Sequence, residues 1–238
     1  MSSVTTDELL DYLICPLRYT FKAQTNNSFD NFFQIRSYIY SQLFDYCLYL
    51  KSTDDSITLH KLNEKLNYIW NSIKDNIPKN IGISNKLYIK GKLEKIALIF
   101  TKVNKVLYYN LPRSIIHNGI EILYNFYTYD EEYDIKTIVK FNNYHYSLNS
   151  DSYTIRILYN ILLRDINNLN DNYKHNLYLY RCDTTDLYQS KLVADKALDI
   201  IFDSITNGIK NKIFYPKNDH LNCLTCRHNK NCDWSTTI

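Results

Sequence analysis

Four cysteines at the two ends of the chain constrain what the fold has to bring together. Cys223, Cys226 and Cys232 form a C-x2-C-x5-C array within ten residues, and Cys15 stands alone near the other end. Two cysteines spaced C-x2-C direct both thiolates at one metal centre, and a third cysteine one loop later adds another corner of a tetrahedral set. Cys15 is the natural fourth ligand. We therefore expect a metal centre that closes the two chain ends on each other.

The array alone does not choose the metal. Four thiolates suit either Zn²⁺ or a [4Fe–4S] cluster, and the spacing gives the two equal weight. His220 and His228 flank the array, and we interpret them as exposed loop residues because four cysteines already complete a site. Cys47 and Cys182 lie in apolar helical and strand contexts, which assigns them to the core.

Composition limits the compartment and the partners. The net charge is +3, from 28 Lys and Arg against 25 Asp and Glu, which by itself does not mark a nucleic-acid binder. The sequence has no run of 18 apolar residues, so we predict no membrane span. The first residues, MSSVTTDELLDYLIC, are acidic where a signal peptide is basic. We expect a cytoplasmic protein (in the host cytoplasm if it is viral), where cysteine clusters indicate metal rather than disulfides.

Apolar periodicity predicts a helical first third. A short helix follows Thr6-Asp7 and leads into Cys15. Further helices are predicted from Phe32 through Tyr46, from Leu62 to Ile73, and from about Lys86 to Val106.

The pattern changes to strands near Val106. Residues 106–149 are rich in Tyr, Ile, Val, Phe and Thr, with turn signals that include Asn118-Gly119, and they predict three or four strands in an antiparallel meander. Asp151-Ser152 predicts the start of a helix, and Asn176–Cys182 predicts another strand. A final helix is predicted from about Tyr188 to Asn207, with Gly208 as its C-terminal cap.

The two chain ends together resemble a known nuclease family. The segment ICPLRYTF around Cys15 is similar to the entry motif of the iron–sulfur branch of PD-(D/E)XK nucleases, which includes the CRISPR-adaptation exonucleases and the nuclease domains of RecB-type and AddB-type proteins. The segment GIKNKIFYPKNDHLNCLTCRHNKNCDW resembles that family's C-terminal tail. This resemblance implies a [4Fe–4S] cluster on Cys15, Cys223, Cys226 and Cys232.

The resemblance also implies where a nuclease site would lie. Gly119-Ile-Glu121 stands where the family has an acid after a Gly-containing strand, and Asp134-Ile-Lys136-Thr137 resembles its D/E-x-K motif. Glu121 and Asp134 would then bind Mg²⁺ or Mn²⁺, and Lys136 would be the catalytic lysine.

Three features of these motifs leave an alternative open. Glu121 replaces the usual Asp, and the acidic turn beside Asp134 is also typical of a solvated hairpin loop. A rival register places the catalytic strand at Ile138–Asn142, with Lys140 and Asn142 at the acid and lysine positions. The alternative is a catalytically degenerate nuclease scaffold that serves as a structural, assembly or DNA-binding module. A zinc-stabilised interaction protein is a third interpretation.

We therefore expect an α/β fold of the PD-(D/E)XK, restriction-endonuclease-like type over residues 1–238. A core sheet flanked by helices would occupy about 106–207, with a helical insert at about 29–105 and an Fe–S-stapled cap at 208–238. The expected partner is DNA, as a single strand or a duplex end, together with a protein partner in a larger complex and no membrane. Basic residues in the cap either track a DNA backbone or form a solvated face; these are Lys210, Lys212, Lys217, Arg227 and Lys230.

Overall fold

The computed structural model describes most of the chain. The described residues are 2–21, 29, 31–101, 105–108, 113–124, 127–131, 134–141, 153–169, 174–182, 185–190, 196–217, 223, 226 and 232–234. Seven α-helices are present in them: α1 (Thr6–Ile14), α2 (Phe32–Ser52), α3 (Leu59–Ile73), α4 (Ile83–Lys90), α5 (Leu93–Phe100), α6 (Tyr153–Leu169) and α7 (Lys196–Lys210). Short 3-10 helices lie at Arg18–Phe21 and Lys74–Asn76.

Eight strands accompany these helices in the described part of the chain. They are β1 (Ser2–Thr5), β2 (Lys105–Tyr108), β3 (Arg113–His117), β4 (Ile120–Tyr124), β5 (Tyr127–Glu131), β6 (Asp134–Phe141), β7 (Lys174–Arg181) and β8 (Asp186–Ser190). The chain is therefore a mixed helix and strand protein, in agreement with the expected α/β class.

The strands form two sheets. One has the order β1-β4-β3 and the other the order β2-β5-β6-β7-β8. Both are mixed, because β1 runs parallel to β4 and β6 runs parallel to β7, while the other pairs are antiparallel. The parallel pair β6 and β7 is connected through α6, since parallel neighbours need a crossover connection.

A tight hairpin joins β3 to β4 at Asn118-Gly119. His117 pairs with Ile120 across the turn. Asn118 and Gly119 have φ values of 50° and 76°. A type I′ turn needs positive φ at both central residues, and Asn-Gly is its preferred pair. The turn predicted at this dipeptide is confirmed.

The buried apolar side chains form two clusters. The first lies among α2 to α5 and reaches the end of β7, where the rings of Phe44 and Tyr180 stack with centroids 4.2 Å apart. Cys47 and Cys182 are buried in this cluster, as predicted. The second cluster joins β1, β3, β4 and β7 to α1, α6 and α7. The helical first third thus has its own core and packs on one end of the larger sheet.

Two predicted helices differ from the structure. The helix expected from about Lys86 to Val106 is wrong as a single element: α4 stops before a turn at Gly91, α5 ends at Phe100, and Val106 pairs with Tyr129 in a strand. Glycine favours termination of a helix, and the turn that follows it separates two short helices.

The final helix is also shorter at its start and longer at its end than expected. Tyr188 lies in β8, opposite Leu179 of β7, so the predicted helix over Tyr188–Asn207 is wrong in its first residues. α7 begins at Lys196 and continues through Gly208 to Lys210, so Gly208 is not its cap. The helix begins later than predicted because Tyr188 pairs with β7 in a strand. It continues through Gly208 because the helix packs on α1 at that residue.

The strand count also differs from the expectation. The described residues between 105 and 141 contain five strands rather than three or four, and β1 was not predicted at all. β1 pairs in parallel with β4 from Ser2 opposite Ile120 to Thr5 opposite Leu123, a partnership that its own four residues do not signal. The predicted cap at Asp151-Ser152 lies outside the described residues.

Across the described part of the chain, none of the helices has the length and apolar character needed to cross a membrane.

Candidate functional site

Cys15 lies where the chain leaves α1. Thr5 precedes the helix, and its hydroxyl accepts the N–H of Glu8 at 3.3 Å while the Glu8 carboxylate accepts the N–H of Thr5 at 2.7 Å. This reciprocal capping box fixes the start of the helix. At the other end, the N–H of Cys15 donates to the carbonyl of Asp11 at 3.0 Å. The Cys15 thiol is therefore held at a defined point, and it is half-buried.

The chain returns to Cys15 about 200 residues later. The backbone N–H of Lys217 donates to the Sγ of Cys15 over 3.4 Å. Next to it, the N–H of Leu17 donates to the carbonyl of Tyr215 at 3.1 Å. Lys217 stands six residues before Cys223. The fold thus brings the segment that leads into the cysteine array against the lone N-terminal cysteine.

Three aromatic rings reinforce this junction. Tyr19 and Phe214 stack with centroids 5.6 Å apart, and Tyr12 meets both rings edge-on at 5.9 and 6.3 Å. The hydroxyl of Tyr12 donates to the carbonyl of Ile213 at 2.8 Å. Aromatic pairs of this kind contribute about 0.5–1.5 kcal/mol each beyond the burial of their area. The two chain ends are therefore joined by packing as well as by backbone hydrogen bonds. Below, this region (residues 11–19 and 208–217) is called the terminal junction.

Gly208 allows α7 to approach α1 at this place. A Cβ on Gly208 would lie 2.8 Å from the Cζ of Tyr12 and closer still to its hydroxyl oxygen. α7 then ends in a Schellman motif, in which the N–H of Ile213 donates to the carbonyl of Gly208 at 2.9 Å and that of Lys212 to Ile209 at 3.1 Å. Lys212 takes the left-handed conformation that this motif needs, with a φ of 55°.

A nearly buried ion pair joins Asp11 and Arg18, which stand on either side of Cys15 in the sequence. The Nε of Arg18 is 2.7 Å from the Oδ1 of Asp11, and the two side chains are 4% and 18% exposed. Arg18 follows Cys15 by three residues and its N–H donates to the Cys15 carbonyl at 2.8 Å. Arg18 is therefore fixed beside Cys15 by its ion pair and by its own backbone.

The late cysteines lie at the surface. Cys223, Cys226 and Cys232 are half-buried, and the N–H of Cys226 donates to the carbonyl of Cys223 at 3.2 Å, which closes a turn. The described residues include all six cysteines of the chain, and these are thiols rather than disulfides. Within the described part of the chain, no group of three or more His, Cys, Asp or Glu side chains is close enough together to hold a metal ion. His220 and His228 lie outside the described residues.

The three predicted catalytic residues lie on two different sheets. Glu121 is in β4, where its register partners are Ser3 on one side and Ile116 on the other. Asp134 and Lys136 are in β6 of the five-stranded sheet. The described register therefore does not pair Glu121 with either of them.

A different acid stands opposite Asp134. Asp134 is the first residue of β6, and its partner across the hairpin is Glu131, the last residue of β5. Lys136 pairs with Tyr129 in β5 and with Asn176 in β7. Sequence reasoning did not single out Glu131, although the acidic run DEEYD contains it. The register of the β5–β6 hairpin would have indicated Glu131, and that register depends on which residues form the turn.

The structure describes only part of the strand on which the rival register places the catalytic residues. Ile138 and Lys140 belong to β6, opposite Tyr178 and Tyr180 of β7. Asn142, which that register uses in place of the lysine, lies outside the described residues.

A polar cluster at the hairpin turn was not predicted. A guanidinium N–H of Arg164 in α6 contacts the Nδ1 of His117, and the Nε2 of His117 is 2.5 Å from the Oδ1 of Asp203 in α7. Because a guanidinium only donates, Nδ1 accepts and Nε2–H donates to Asp203, which describes a neutral imidazole. Burial lowers the pKa of His117, and the Arg164 charge lowers it further against the opposing effect of Asp203. The cluster fastens the turn to both helices.

A neighbouring ion pair continues this contact. Arg113 at the start of β3 donates to Asp165 of α6 over 2.5 Å. Burial raises the pKa of Tyr124 in β4, and hydrogen bonding to Asp165 raises it further. These residues come from separate segments, so no local pattern in the sequence could have indicated them.

A search against models of known protein families finds no match to this chain, and no curated protein is significantly similar to it.

Proposed function

We propose that this chain is an iron–sulfur protein of the PD-(D/E)XK nuclease type that acts on DNA. Cys15, Cys223, Cys226 and Cys232 would hold a [4Fe–4S] cluster. The observation that supports the proposal is the 3.4 Å contact between the N–H of Lys217 and the Sγ of Cys15. Backbone donors to the ligating sulfurs are among the interactions with which proteins tune such clusters.

The donor set fits the cluster by its chemistry. Four cysteines are what a [4Fe–4S] cluster uses, and each of the four is a half-buried thiol outside both apolar cores. When bound, the cluster would supply a covalent staple between the chain ends. The chain's own contribution is the terminal junction, which orients Cys15 and keeps the segment before Cys223 against it.

The nuclease part of the proposal rests on the strand residues. Asp134 would hold Mg²⁺ or Mn²⁺ together with a second acid, and the ion would supply Lewis-acid activation of water and phosphate. Lys136 would stabilise charge at the scissile phosphate. Glu121 is the acid that the resemblance implies, and Glu131 is the acid that the register pairs with Asp134.

A second candidate function is a DNA-binding or assembly module without catalysis. The observation that favours it is the separation of Glu121 from Asp134 and Lys136 on two sheets. In this case the [4Fe–4S] cluster would keep the chain folded, and Glu121, Asp134 and Lys136 would not need to lie close together.

An assay of DNA cleavage separates the two candidates. Anaerobically purified protein is incubated with Mn²⁺ and end-labelled single-stranded and linear duplex DNA. For the nuclease we expect cleavage that Lys136→Ala lowers by about a hundredfold or more, in the range seen when one charge-stabilising group is removed. Lys140→Ala is the matched control, four residues further along the same strand, and it should leave the rate unchanged.

The outcomes have distinct meanings. A comparison of Glu121→Gln with Glu131→Gln identifies the second acid, because only substitution of the acid that binds the metal should abolish cleavage. DNA binding by gel shift without cleavage would support the non-catalytic module. A protein that shows neither DNA binding nor cleavage would overturn both candidates. Loss of activity in Lys140→Ala but not in Lys136→Ala would contradict the assignment of Lys136 as the catalytic lysine.

A further inference from the structure

The helix α4 exposes an unusual share of its apolar side chains. All eight of its residues are described, and Ile89 is the one that is buried. Ile83 is 70% exposed, Leu87 58% and Tyr88 49%. Ile83 and Leu87 are four residues apart, so they lie one above the other on the outer side of the helix. These three residues form the α4 ridge.

The ridge continues onto its neighbours. The ring of Tyr88 meets that of Phe32, at the start of α2, with centroids 5.8 Å apart. Phe33, the next residue in α2, is itself 47% exposed. The apolar surface therefore extends from α4 to the first turn of α2, and contiguous apolar surface of this kind marks interaction sites.

Lysines surround the ridge. Between Asn76 and Leu93 the chain has four lysines and neither Asp nor Glu. Lys86 lies over the ring of Trp70 at 5.9 Å, and Lys92 lies over that of Tyr88 at 5.9 Å. Lys79 and Lys90 are exposed. The ridge thus lies in a segment whose charged residues are all lysines (the lysine rim), and an apolar centre with a polar rim is the anatomy of a protein-binding site.

We propose that the α4 ridge binds an acidic amphipathic helix of a partner protein. Leucine-type anchors of the partner would lie on Ile83 and Leu87, and its carboxylates would meet the lysine rim. Charge complementarity selects this partner, because residues 77–92 contain four lysines and neither Asp nor Glu. A nucleic acid would use the lysines but not the aliphatic centre, since phosphates and base edges need donors and planar rings. The inference is independent of the proposed nuclease function.

A peptide titration tests this surface. The probe is a fluorescein-labelled synthetic helix with Leu at positions i, i+4 and i+7 and Glu at most others, followed by fluorescence anisotropy without DNA or divalent metal. We expect saturable binding that weakens at least tenfold in Leu87→Ser and at least threefold in Lys90→Glu. Leu59→Ser is the matched control, because Leu59 is 46% exposed at the far end of α3. It should bind like the unchanged protein.

Other occupants give recognisable results. Absence of binding, or equal weakening by Leu87→Ser and Leu59→Ser, would overturn the proposal. Tight binding of an oligothymidine that depends on Lys90 but not on Leu87 would assign the surface to nucleic acid instead. Leu87-dependent dimerisation in light scattering would assign it to a second copy of the chain. Because the peptide probe is not DNA, its binding or failure to bind says nothing about the result of the cleavage assay.

Discussion

The terminal junction and the candidate catalytic strands are organised in opposite ways. At the junction, residues about 200 positions apart are joined by backbone hydrogen bonds, stacked rings and a sulfur contact. On the strands, Glu121 lies in one sheet while Asp134 and Lys136 lie in another. The contacts of the terminal junction therefore do not depend on whether Glu121, Asp134 and Lys136 form a site.

The largest change in stability is expected from a substitution that tests how closely α7 packs on α1 at Gly208. Gly208→Ala forces a methyl group into the ring of Tyr12 and disturbs the hydrogen bond from Tyr12 to Ile213. Overpacking and a lost hydrogen bond together should lower the free energy of unfolding by about 2–4 kcal/mol. Urea unfolding followed by circular dichroism measures this change.

Gly91→Ala provides the control for that experiment. The nearest atom to a Cβ on Gly91 is the Tyr88 carbonyl oxygen at 3.5 Å, and the φ of Gly91 is −63°. This variant should stay within about 0.5 kcal/mol of the unchanged protein. Equal stability of the two alanine variants would mean that α1 and α7 are not packed as described.

A smaller effect of opposite sign should follow from Lys212→Gly. Lys212 holds the left-handed position of the Schellman motif at a φ of 55°. Glycine adopts this conformation without steric cost, so the free energy of unfolding should rise by about 0.5–1 kcal/mol. The same substitution at Lys196, which lies in the first turn of α7, should instead destabilise. A loss of stability in Lys212→Gly would contradict the assigned helix end.

The smallest expected effect lies at the hairpin turn. Burial lowers the pKa of His117 below its ordinary value, so the unfolded chain binds its proton more readily than the folded chain does. The contribution of neutral His117 to the free energy of unfolding is therefore complete above the unfolded pKa of about 6.5. It is lost as the pH falls below that value. Arg164, Asp203 and Asp199 are the charged groups that face the imidazole.

The measurement is a comparison of urea midpoints at neutral and mildly acidic pH. His117→Gln should lose less stability on acidification than the unchanged protein, because the other titrating groups are common to both. An identical loss in the two proteins would mean that His117 is not held neutral between Arg164 and Asp203.

Local patterns in the sequence predicted the parts of the fold that depend on local chemistry. The hairpin turn at Asn118-Gly119 and the core positions of Cys47 and Cys182 followed from residue type and flanking residues. Gly208 shows the limit of such reasoning: a glycine near a helix end usually caps it, but here contact with Tyr12 requires the glycine inside the helix. Tyr188 in β8 likewise depends on its pairing with Leu179.

The same limit applies to the candidate site. The spacing of the late cysteines made them candidate ligands, and this stays a prediction. The contact of Lys217 with Cys15 shows only that the segment before them returns to the first cysteine. The choice of Glu121 followed motif order along the chain. The pairing of Glu131 with Asp134 depends on strand register, which motif order does not contain.

The iron and sulfide content of the purified protein decides whether Cys15, Cys223, Cys226 and Cys232 hold a [4Fe–4S] cluster. Anaerobically purified protein should be brown and contain about four iron and four labile sulfide per chain, as a [4Fe–4S] cluster requires. Cys15→Ser should lose most of both, whereas Cys47→Ala, which changes a buried thiol of the helical core, should keep them. A colourless protein that contains zinc, or iron that persists in Cys15→Ser, would contradict the account.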